Sequence, residues 1–126
     1  MALQSPVKRL LVVEDDPDHS RAVRDRLELY GYAVECAEDG QVAMDMLQEE
    51  GTFDGILLDL NLPHVSGIQL LAKARQSLPH LRVLVMSASS SPLRVAKQAN
   101  LACGYIAKPF ETAQFKQAVQ ECFGPA

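Results

Sequence analysis

Acidic residues gather after two separate apolar runs of the sequence. Glu14, Asp15 and Asp16 directly follow the first run, Leu10–Val13, and Asp59 directly follows the third, Ile56–Leu58. Carboxylates brought close together repel one another, so a nearby positive charge must neutralise them. Mg²⁺ does this well, because it prefers one or two carboxylates together with water and a phosphate oxygen. The pattern predicts a site for Mg²⁺, or Mn²⁺, beside a reactive carboxylate.

Two later apolar runs also end in residues that could do chemistry. Ser87 follows Val83–Met86, and Lys108 follows Tyr105–Ala107. Transfer of a phosphoryl group depends mainly on positioning and on charges that stabilise the phosphoryl oxygens. We predict that Asp59 is the nucleophile and becomes an acyl phosphate. Lys108 would supply a fixed positive charge, and Ser87 would donate a hydrogen bond to a phosphoryl oxygen.

The predicted metal ligands are all oxygen atoms. Asp15 and Asp59 would bind the ion directly, the backbone carbonyl of Asn61 would be a third ligand, and Glu14 would act through a bound water. Each residue alone has an ordinary explanation, since acidic side chains favour a helix start and Asp59 could simply end a strand. Their joint placement at the ends of apolar runs favours the chemical interpretation.

The apolar runs alternate with amphipathic stretches along the whole chain. The first, third and fourth runs are continuously apolar, which is typical of parallel strands buried on both faces. The second alternates, as an edge strand with one wet face does. We predict a flavodoxin-like (βα)5 fold, with a five-stranded parallel sheet in the order 2-1-3-4-5 and helices on both faces. The five predicted strands are Leu10–Val13, Tyr32–Cys36, Ile56–Leu58, Val83–Met86 and Tyr105–Ala107.

Local signals mark the ends of the predicted helices. Asp16 can cap a first helix that has Pro17 at its first position, and Gly31 closes it. In parallel sheets, ligand sites lie at the carboxyl ends of the strands, which is where the candidate residues fall. We expect the second helix to start near Asp39 and the third at Ser66. The fourth is expected to have Ser91 as its cap and Pro92 at its first position, and the fifth to start at Thr112.

Length and charge restrict the class of protein. The chain has 126 residues and a net charge of −4, so we expect one domain at 8–123 with tails at 1–7 and 124–126. The excess of acid argues against direct binding of nucleic acid or an anionic membrane. We expect a cytoplasmic protein, because the sequence shows neither a signal peptide nor a membrane-spanning run.

The cysteines and histidines show no metal-ligand spacing. The cysteines are interpreted as reduced, buried thiols, because their number is odd and their spacing is wide. The histidines are interpreted as solvated surface residues, although His64 lies close enough to Asp59 to influence an acyl phosphate. These residues are Cys36, Cys103, Cys122, His19, His64 and His80.

Four segments resemble the receiver domain of two-component response regulators. They are Leu10–Pro17, Leu57–Pro63 with Gly67, Val85–Ala88 and Tyr105–Phe110, within a match that runs from about Lys8 to Phe123. The resemblance implies that a histidine kinase or a histidine phosphotransfer protein donates the phosphoryl group from a phosphohistidine. It also implies an unidentified downstream protein target or output domain.

The resemblance also assigns residues to roles. Glu14 and Asp15 match the acidic pair of the family, and Asp59 matches its phosphoacceptor. Lys108 matches the family's lysine, which is usually joined to the following proline by a cis peptide bond. Ser87 and Tyr105 would form the switch, in which Tyr105 rotates inward when the phosphoryl group draws Ser87 towards it.

Two positions depart from the usual pattern of the family. Leu101-Ala102 stands where Gly-Ala is usual, with Asn100 ahead of it. Asn tolerates a left-handed conformation, so the fourth helix is expected to end early. Ser66 replaces the common Asp before the loop glycine. Neither position touches the predicted metal site, but the first affects the shape of the output face.

Two other functions fit the sequence less well than a phosphorylated switch. A haloacid-dehalogenase-like phosphatase needs a second acid two residues after its nucleophile, where this chain has Asn61. A pseudo-receiver that binds partners without phosphorylation would not need the full set of acids, Ser87 and Lys108. We therefore expect no multiple-turnover enzyme, but a protein that catalyses its own Mg-dependent phosphorylation and dephosphorylation.

Overall fold

The computed structural model describes residues 8–50, 53–62, 67–100 and 102–126. The predicted tail 1–7, the predicted helix start at Ser66 and His64 lie outside these ranges. Strands and helices alternate along the described chain. The strands are β1 Arg9–Val13, β2 Ala33–Ala37, β3 Gly55–Asp59, β4 Arg82–Ser87 and β5 Gly104–Ala107. The helices are α1 Pro17–Leu29, α2 Gly40–Glu50, α3 Gly67–Ser77, α4 Ser90–Ala99 and α5 Thr112–Phe123.

The five strands form one parallel sheet in the order β2-β1-β3-β4-β5, which confirms the predicted topology. Val13 pairs with Leu58 across β1 and β3, and Asp59 pairs with Met86 across β3 and β4. Because parallel strands run in the same direction, their carboxyl ends meet at one edge of the sheet. The register therefore brings the residues that follow β1 beside the end of β3.

Each face of the sheet carries its own apolar core. Leu11, Val13 and Leu58 belong to one buried cluster, and Leu10 and Val12 belong to the other. All five side chains have 0% exposure. This alternation buries the central strands on both sides, as their continuous apolar runs predicted. β2 pairs with β1 at the edge of the sheet and keeps a partly exposed face.

The start of α1 and the end of α4 agree with the sequence signals. The Asp16 carboxylate accepts hydrogen bonds from the backbone N–H groups of Asp18 and His19, which satisfies two donors of the first turn. Gly31 has a φ of 104° just beyond the C-terminal end of the helix. Asn100 adopts a left-handed conformation with a φ of 52° and ends α4.

The predicted cap of α4 is wrong. The helix begins at Ser90 with Ser89 as its N-cap, so Ser91 already lies inside the first turn. Pro92 is tolerated there because the first N–H groups of a helix have no intrahelical partner. The Ser89 hydroxyl does not cap the helix and instead accepts a hydrogen bond from Asn61 Nδ2 at 3.3 Å.

The interpretation of all three cysteines as unpaired thiols is also wrong. Cys103 and Cys122 form a disulfide, with 5.5 Å between their Cα atoms, whereas Cys36 is free and half-buried. Cys103 lies just before β5, and Cys122 lies in the last turn of α5. Packing of α5 on β5 brings the two residues together, which their separation in sequence does not reveal. Among the described residues, no helix is long and apolar enough to cross a membrane.

Candidate functional site

A lysine joins two carboxylates at the carboxyl edge of the sheet. Lys108 Nζ lies 2.9 Å from Asp59 Oδ2 and 2.9 Å from Glu14 Oε2. The three residues follow or end β5, β3 and β1, and Glu14 and Asp59 are each only 3% exposed. Burial strengthens these charge-assisted hydrogen bonds, because little water screens them. The fold thus brings together three of the residues that the sequence singled out.

Asp15 completes an acidic cluster beside this lysine. Glu14, Asp15 and Asp59 each offer a carboxylate oxygen, and these oxygens all lie within 4.8 Å of one another. Two of the carboxylates are buried and Asp15 is exposed, so the cluster opens towards solvent on one side. A set of oxygen donors that keeps access to water matches the preference of Mg²⁺. The residues present therefore fit a hard divalent cation.

The pKa values of these groups reflect their mutual contacts. Burial and a hydrogen bond with Asp59 raise the pKa of Glu14, despite the opposing effect of Lys108. Burial alone would raise the pKa of Asp59, but hydrogen bonds from Glu14, the Asn61 backbone and Lys108 outweigh it and lower that pKa. Asp59 is thus held as a carboxylate, the form that a nucleophile needs.

Lys108 is held in its charged form. Burial would lower the pKa of its ammonium group, but hydrogen bonds to Asp59 and Glu14 outweigh burial and raise that pKa. Lys108 directly follows β5, and the peptide bond between it and Pro109 is cis. Its backbone N–H donates to the Ser87 carbonyl at 2.8 Å. The ends of β4 and β5 therefore fix the position of the lysine.

Asn61 bridges Asp59 and Ser87. Its backbone N–H donates to Asp59 Oδ1 at 2.9 Å. Its side-chain oxygen accepts a hydrogen bond from the Ser87 hydroxyl at 2.7 Å and another from the Ala88 N–H at 3.2 Å. Ser87 is fully buried. The sequence suggested only a role for the backbone carbonyl of Asn61, so its side-chain contacts are an addition from the structure.

Tyr105 is held by the loop before its own strand. Its hydroxyl accepts a hydrogen bond from the Ala102 N–H at 3.1 Å and donates to the Ala96 carbonyl in α4 at 3.3 Å. The side chain is half-buried, and Tyr105 pairs with Val85 two residues before Ser87. The proposed switch pair thus lies on the neighbouring strands β4 and β5.

His19 was missed as a residue of this site. Its Nδ1 lies 3.2 Å from Glu14 Oε2, and its ring makes a tilted contact with Phe110 at 6.1 Å. The interpretation as a solvated surface residue is wrong for His19, whose side chain is 29% exposed. The sequence does contain one indication of this contact, because His19 lies in the first turn of α1, which begins shortly after Glu14 and Asp15. His80 is exposed, as expected.

Comparison with known proteins agrees with this geometry. The model of the response regulator receiver domain family matches residues 10–120. Chemotaxis protein CheY-3 of Vibrio cholerae is 34% identical over 119 residues, which cover 91% of this chain and 91% of that protein. The structure of response regulator protein TrrA from Thermotoga maritima, in complex with Mg²⁺-BeF, has a TM-score of 0.83 at 27% identity. That match covers 91% of this chain and 98% of TrrA.

Some relatives are far longer than this chain. Probable histidine kinase 4 of Oryza sativa subsp. japonica is 30% identical over 143 residues, which cover 94% of this chain but 14% of the kinase. The similarity therefore concerns one domain, which occurs both in short proteins and within long ones. The chain belongs to the response regulator receiver domain family, whose members are signalling switches rather than classical enzymes.

Proposed function

We propose that the protein takes a phosphoryl group from a phosphohistidine donor onto Asp59, in a Mg-dependent reaction, and then changes its output surface. The observation that carries this proposal is the position of Lys108 Nζ, 2.9 Å from both Asp59 and Glu14. A half-buried lysine that is hydrogen-bonded to a buried, ionised carboxylate, beside an exposed second acid, suits transfer of an anionic group onto that carboxylate.

Asp59 acts as the nucleophile. A carboxylate oxygen attacks phosphorus, an O–P bond forms, and the P–N bond to the donor imidazole breaks with its electron pair left on nitrogen. The lowered pKa of Asp59, which its hydrogen-bond donors cause, keeps the attacking oxygen deprotonated at neutral pH. Lys108 then balances the negative charge that gathers on the phosphoryl oxygens.

Asp15 and Asp59 would hold the divalent cation directly, with the Asn61 carbonyl as a third ligand and Glu14 acting through water. The cation, Mg²⁺ or Mn²⁺, would neutralise the acidic cluster and stabilise charge on the phosphoryl oxygens. Asp15 is the exposed member of the cluster, so it marks the side from which ion and donor approach.

Ser87 would transmit the modification to the surface. Its hydroxyl can turn from Asn61 to a phosphoryl oxygen, and the space that it vacates lets Tyr105 move inward. Movement of Tyr105 would break its hydrogen bonds to Ala96 and Ala102, which connect α4 to the loop before β5. The output face around α4 and β5 would then present a different surface to a downstream protein.

We further propose the receiver domain to be 8–123, working in the cytoplasm with a histidine kinase or a histidine phosphotransfer protein as donor. The acyl phosphate would be lost by self-catalysed hydrolysis, so turnover is limited to the protein's own Asp59. A downstream protein or output domain, rather than nucleic acid or a membrane, would read the phosphorylated surface.

The test uses acetyl phosphate as a small-molecule phosphodonor and intact mass spectrometry as the readout. With Mg²⁺, the protein should gain one phosphoryl group, and the gain should disappear when the metal is chelated. Asp59→Asn should abolish it, whereas Asp45→Asn, at an exposed position on α2, should not. Uptake that persists in Asp59→Asn would refute the proposal.

A further inference from the structure

The disulfide lies outside the site described above. Cys103 precedes β5 and Lys108 follows it, so the length of one strand separates the sulfur pair from the lysine. The pair joins the loop before β5 to the last turn of α5. Both elements border the face that Tyr105 is proposed to remodel. The disulfide could therefore affect signalling without touching the phosphoryl group.

The two cysteines differ in their access to solvent. Cys103 is exposed, whereas Cys122 is 1% exposed. An exposed cysteine residue beside a second, sheltered one is a common arrangement for reversible oxidation, because the first reacts and the second resolves the product. In a reducing compartment, disulfides are usually transient or redox-sensing rather than structural.

The surroundings also suit the reduced form. The Val83 carbonyl oxygen lies 3.1 Å from Cys103 Sγ and 3.5 Å from Cys122 Sγ. This oxygen could accept a hydrogen bond from either thiol after reduction. The Cys103 backbone N–H also donates to the same carbonyl at 2.9 Å, independently of the sulfur. The reduced thiols would thus have a hydrogen-bond acceptor within reach.

A short path leads from the disulfide to Tyr105. Cys103 directly follows Ala102, whose N–H donates to the Tyr105 hydroxyl at 3.1 Å. Gly104 lies between Cys103 and Tyr105, and a side chain there would meet Leu84 at 2.8 Å, so β5 packs tightly at this point. When Cys103 is tied to α5, the Ala102 N–H is held where it binds Tyr105. Reduction would remove this covalent restraint and leave the hydrogen bond from the Cys103 N–H to the Val83 carbonyl as the remaining one.

We propose that Cys103 and Cys122 form a reversible oxidation site for hydroperoxides, and that its disulfide form holds Tyr105 in the position seen here. This inference rests on the proposed function for its effect on signalling. Oxidation of the pair would oppose activation by phosphorylation, since it favours the conformation in which Tyr105 stays bonded to Ala102 and Ala96. Reduction by a dithiol would restore the response.

The chemistry balances with a hydroperoxide as the oxidant. The Cys103 thiol gives up its proton and its sulfur attacks one peroxide oxygen. The O–O bond breaks and the departing oxygen takes up that proton, so a sulfenic acid forms with release of an alcohol, or of water from hydrogen peroxide. The Cys122 sulfur then attacks the Cys103 sulfur, the S–O bond breaks, and water leaves. Two thiols and one peroxide are thus converted into one disulfide, with the peroxide reduced.

The experiment compares two samples of the full chain. One is reduced with a phosphine, and the other is then oxidised with stoichiometric hydrogen peroxide. Intact mass should show loss of two hydrogen atoms in a monomer. Amide hydrogen exchange at Ala102 should slow on oxidation, because the disulfide restrains its hydrogen bond to Tyr105. Calorimetric titration with beryllium fluoride and Mg²⁺ should show at least about fivefold weaker binding to the oxidised form, which is typical of coupling between two sites.

The cysteine variants supply matched controls. Cys103→Ser should lose all three responses to peroxide, and Cys36→Ser should keep them. Failure to form the intramolecular disulfide, unchanged exchange at Ala102, or equal beryllium fluoride affinity in the two forms would each overturn the redox proposal. If beryllium fluoride binds neither form, the proposed function fails instead, and disulfide formation and hydrogen exchange still decide whether the oxidation site exists.

Discussion

The Ser87 hydroxyl and the Asn61 side-chain oxygen lie 2.7 Å apart, so the serine of the proposed switch already has a hydrogen-bond partner. A hydroxyl has one hydrogen to donate. The hydroxyl also lies 3.0 Å from the Ser89 carbonyl oxygen, a longer contact than that with Asn61, so the bond to one of these two acceptors must break before Ser87 can donate to a phosphoryl oxygen. The same asparagine holds Asp59 Oδ1 through its backbone N–H at 2.9 Å. Asn61 thus connects the proposed phosphoacceptor to the proposed switch and opposes the change in Ser87.

Replacement of Asn61 by alanine should make activation easier. Asn61→Ala removes the bond to Ser87 but keeps the backbone N–H to Asp59 and the backbone carbonyl. We expect beryllium fluoride to bind up to about fivefold more tightly in the presence of Mg²⁺, the equivalent of about 1 kcal/mol for one net hydrogen bond. The gain is an upper value because the Ser89 carbonyl remains as an acceptor for the Ser87 hydroxyl. The affinity should be measured by isothermal titration calorimetry, because the chain contains no Trp that could report binding by fluorescence.

Ser89→Ala is the matched control for this prediction. It removes the 3.3 Å contact with Asn61 Nδ2 but leaves the bond between Ser87 and Asn61 in place. Its beryllium fluoride affinity should stay close to that of the wild type. Weaker binding by Asn61→Ala would show that the asparagine assists the activated state rather than opposing it.

Glu14 should make the stability of the metal-free protein depend on pH. Burial, followed by its hydrogen bond with Asp59, raises the pKa of Glu14 above 4.5. A carboxyl group with a raised folded-state pKa contributes stability below its unfolded-state pKa and loses it as the pH rises through the folded-state value. Glu14→Gln should therefore be more stable than the wild type at pH 7, on the order of 1 kcal/mol.

The comparison is made by urea unfolding in the presence of a chelator. At pH 4 the advantage of Glu14→Gln should vanish, because wild-type Glu14 is then protonated and can donate to Asp59 as the amide does. Glu28→Gln, on an exposed part of α1 where Glu28 pairs with Arg24, should give no such gain in stability at pH 7. An equal effect of Glu14→Gln at both pH values would contradict the assignment of the raised pKa to Glu14.

Much of the architecture could be predicted because apolar runs identify buried parallel strands and the topology then aligns their ends. That logic placed Glu14, Asp59 and Lys108 at one edge of the sheet, where the structure brings them into contact. Side-chain rotamers do not follow from a pattern of apolar residues. The contact of Asn61 with Ser87 and that of His19 with Glu14 were missed for this reason.

The structure also differs from the sequence-based expectations in the N-cap of α4 and in the pairing of two cysteines. Several serines in succession could each stand at the N-cap position of α4, and the structure places Ser89 rather than Ser91 there, without a side-chain capping hydrogen bond. The sequence cannot decide among them, because the choice depends on how the loop after β4 meets Asn61. The pairing of Cys103 with Cys122 depends on the packing of α5 against β5, which has no local sequence signal.

Mg²⁺ should stabilise the folded protein through the acidic cluster. An ion that binds the native state alone adds about 2.7 kcal/mol at a concentration 100 times its dissociation constant. We expect the melting temperature of the wild type to rise with Mg²⁺ until the site saturates. Asp15→Asn should lose most of this rise, since it removes the exposed carboxylate of the cluster.

Asp18→Asn gives a control at a nearby exposed acid that is not part of the cluster. It should keep the response to Mg²⁺. In the metal-free state, Asp15→Asn should itself be slightly more stable than the wild type, because one of three neighbouring negative charges is removed. A full thermal response in Asp15→Asn would rule out this residue as a metal ligand.

Gly67 should be required for the approach of α3 to the end of β3. A methyl group at this position would lie 2.5 Å from the Leu60 Cα and 2.8 Å from the Leu60 carbonyl oxygen. Both contacts are with backbone atoms that directly follow Asp59, so they cannot be relieved by rotating a side chain. Gly67→Ala should therefore destabilise the protein by about 1–3 kcal/mol, as overpacking in a tight region does.

The same substitution should also weaken phosphorylation. Movement of Leu60 shifts the peptide groups on either side of it, which carry the Asp59 carbonyl and the Asn61 N–H that donates to Asp59 Oδ1. Chemical unfolding gives the change in stability, and the rate of phosphoryl gain from acetyl phosphate gives the change at the site. Gln76→Ala, at an exposed position later in α3, should change the stability by no more than about 0.5 kcal/mol. It should leave the rate of phosphoryl gain unchanged. If Gly67→Ala proved as stable and reactive as the wild type, the close approach of α3 to Leu60 would not limit the geometry of Asp59.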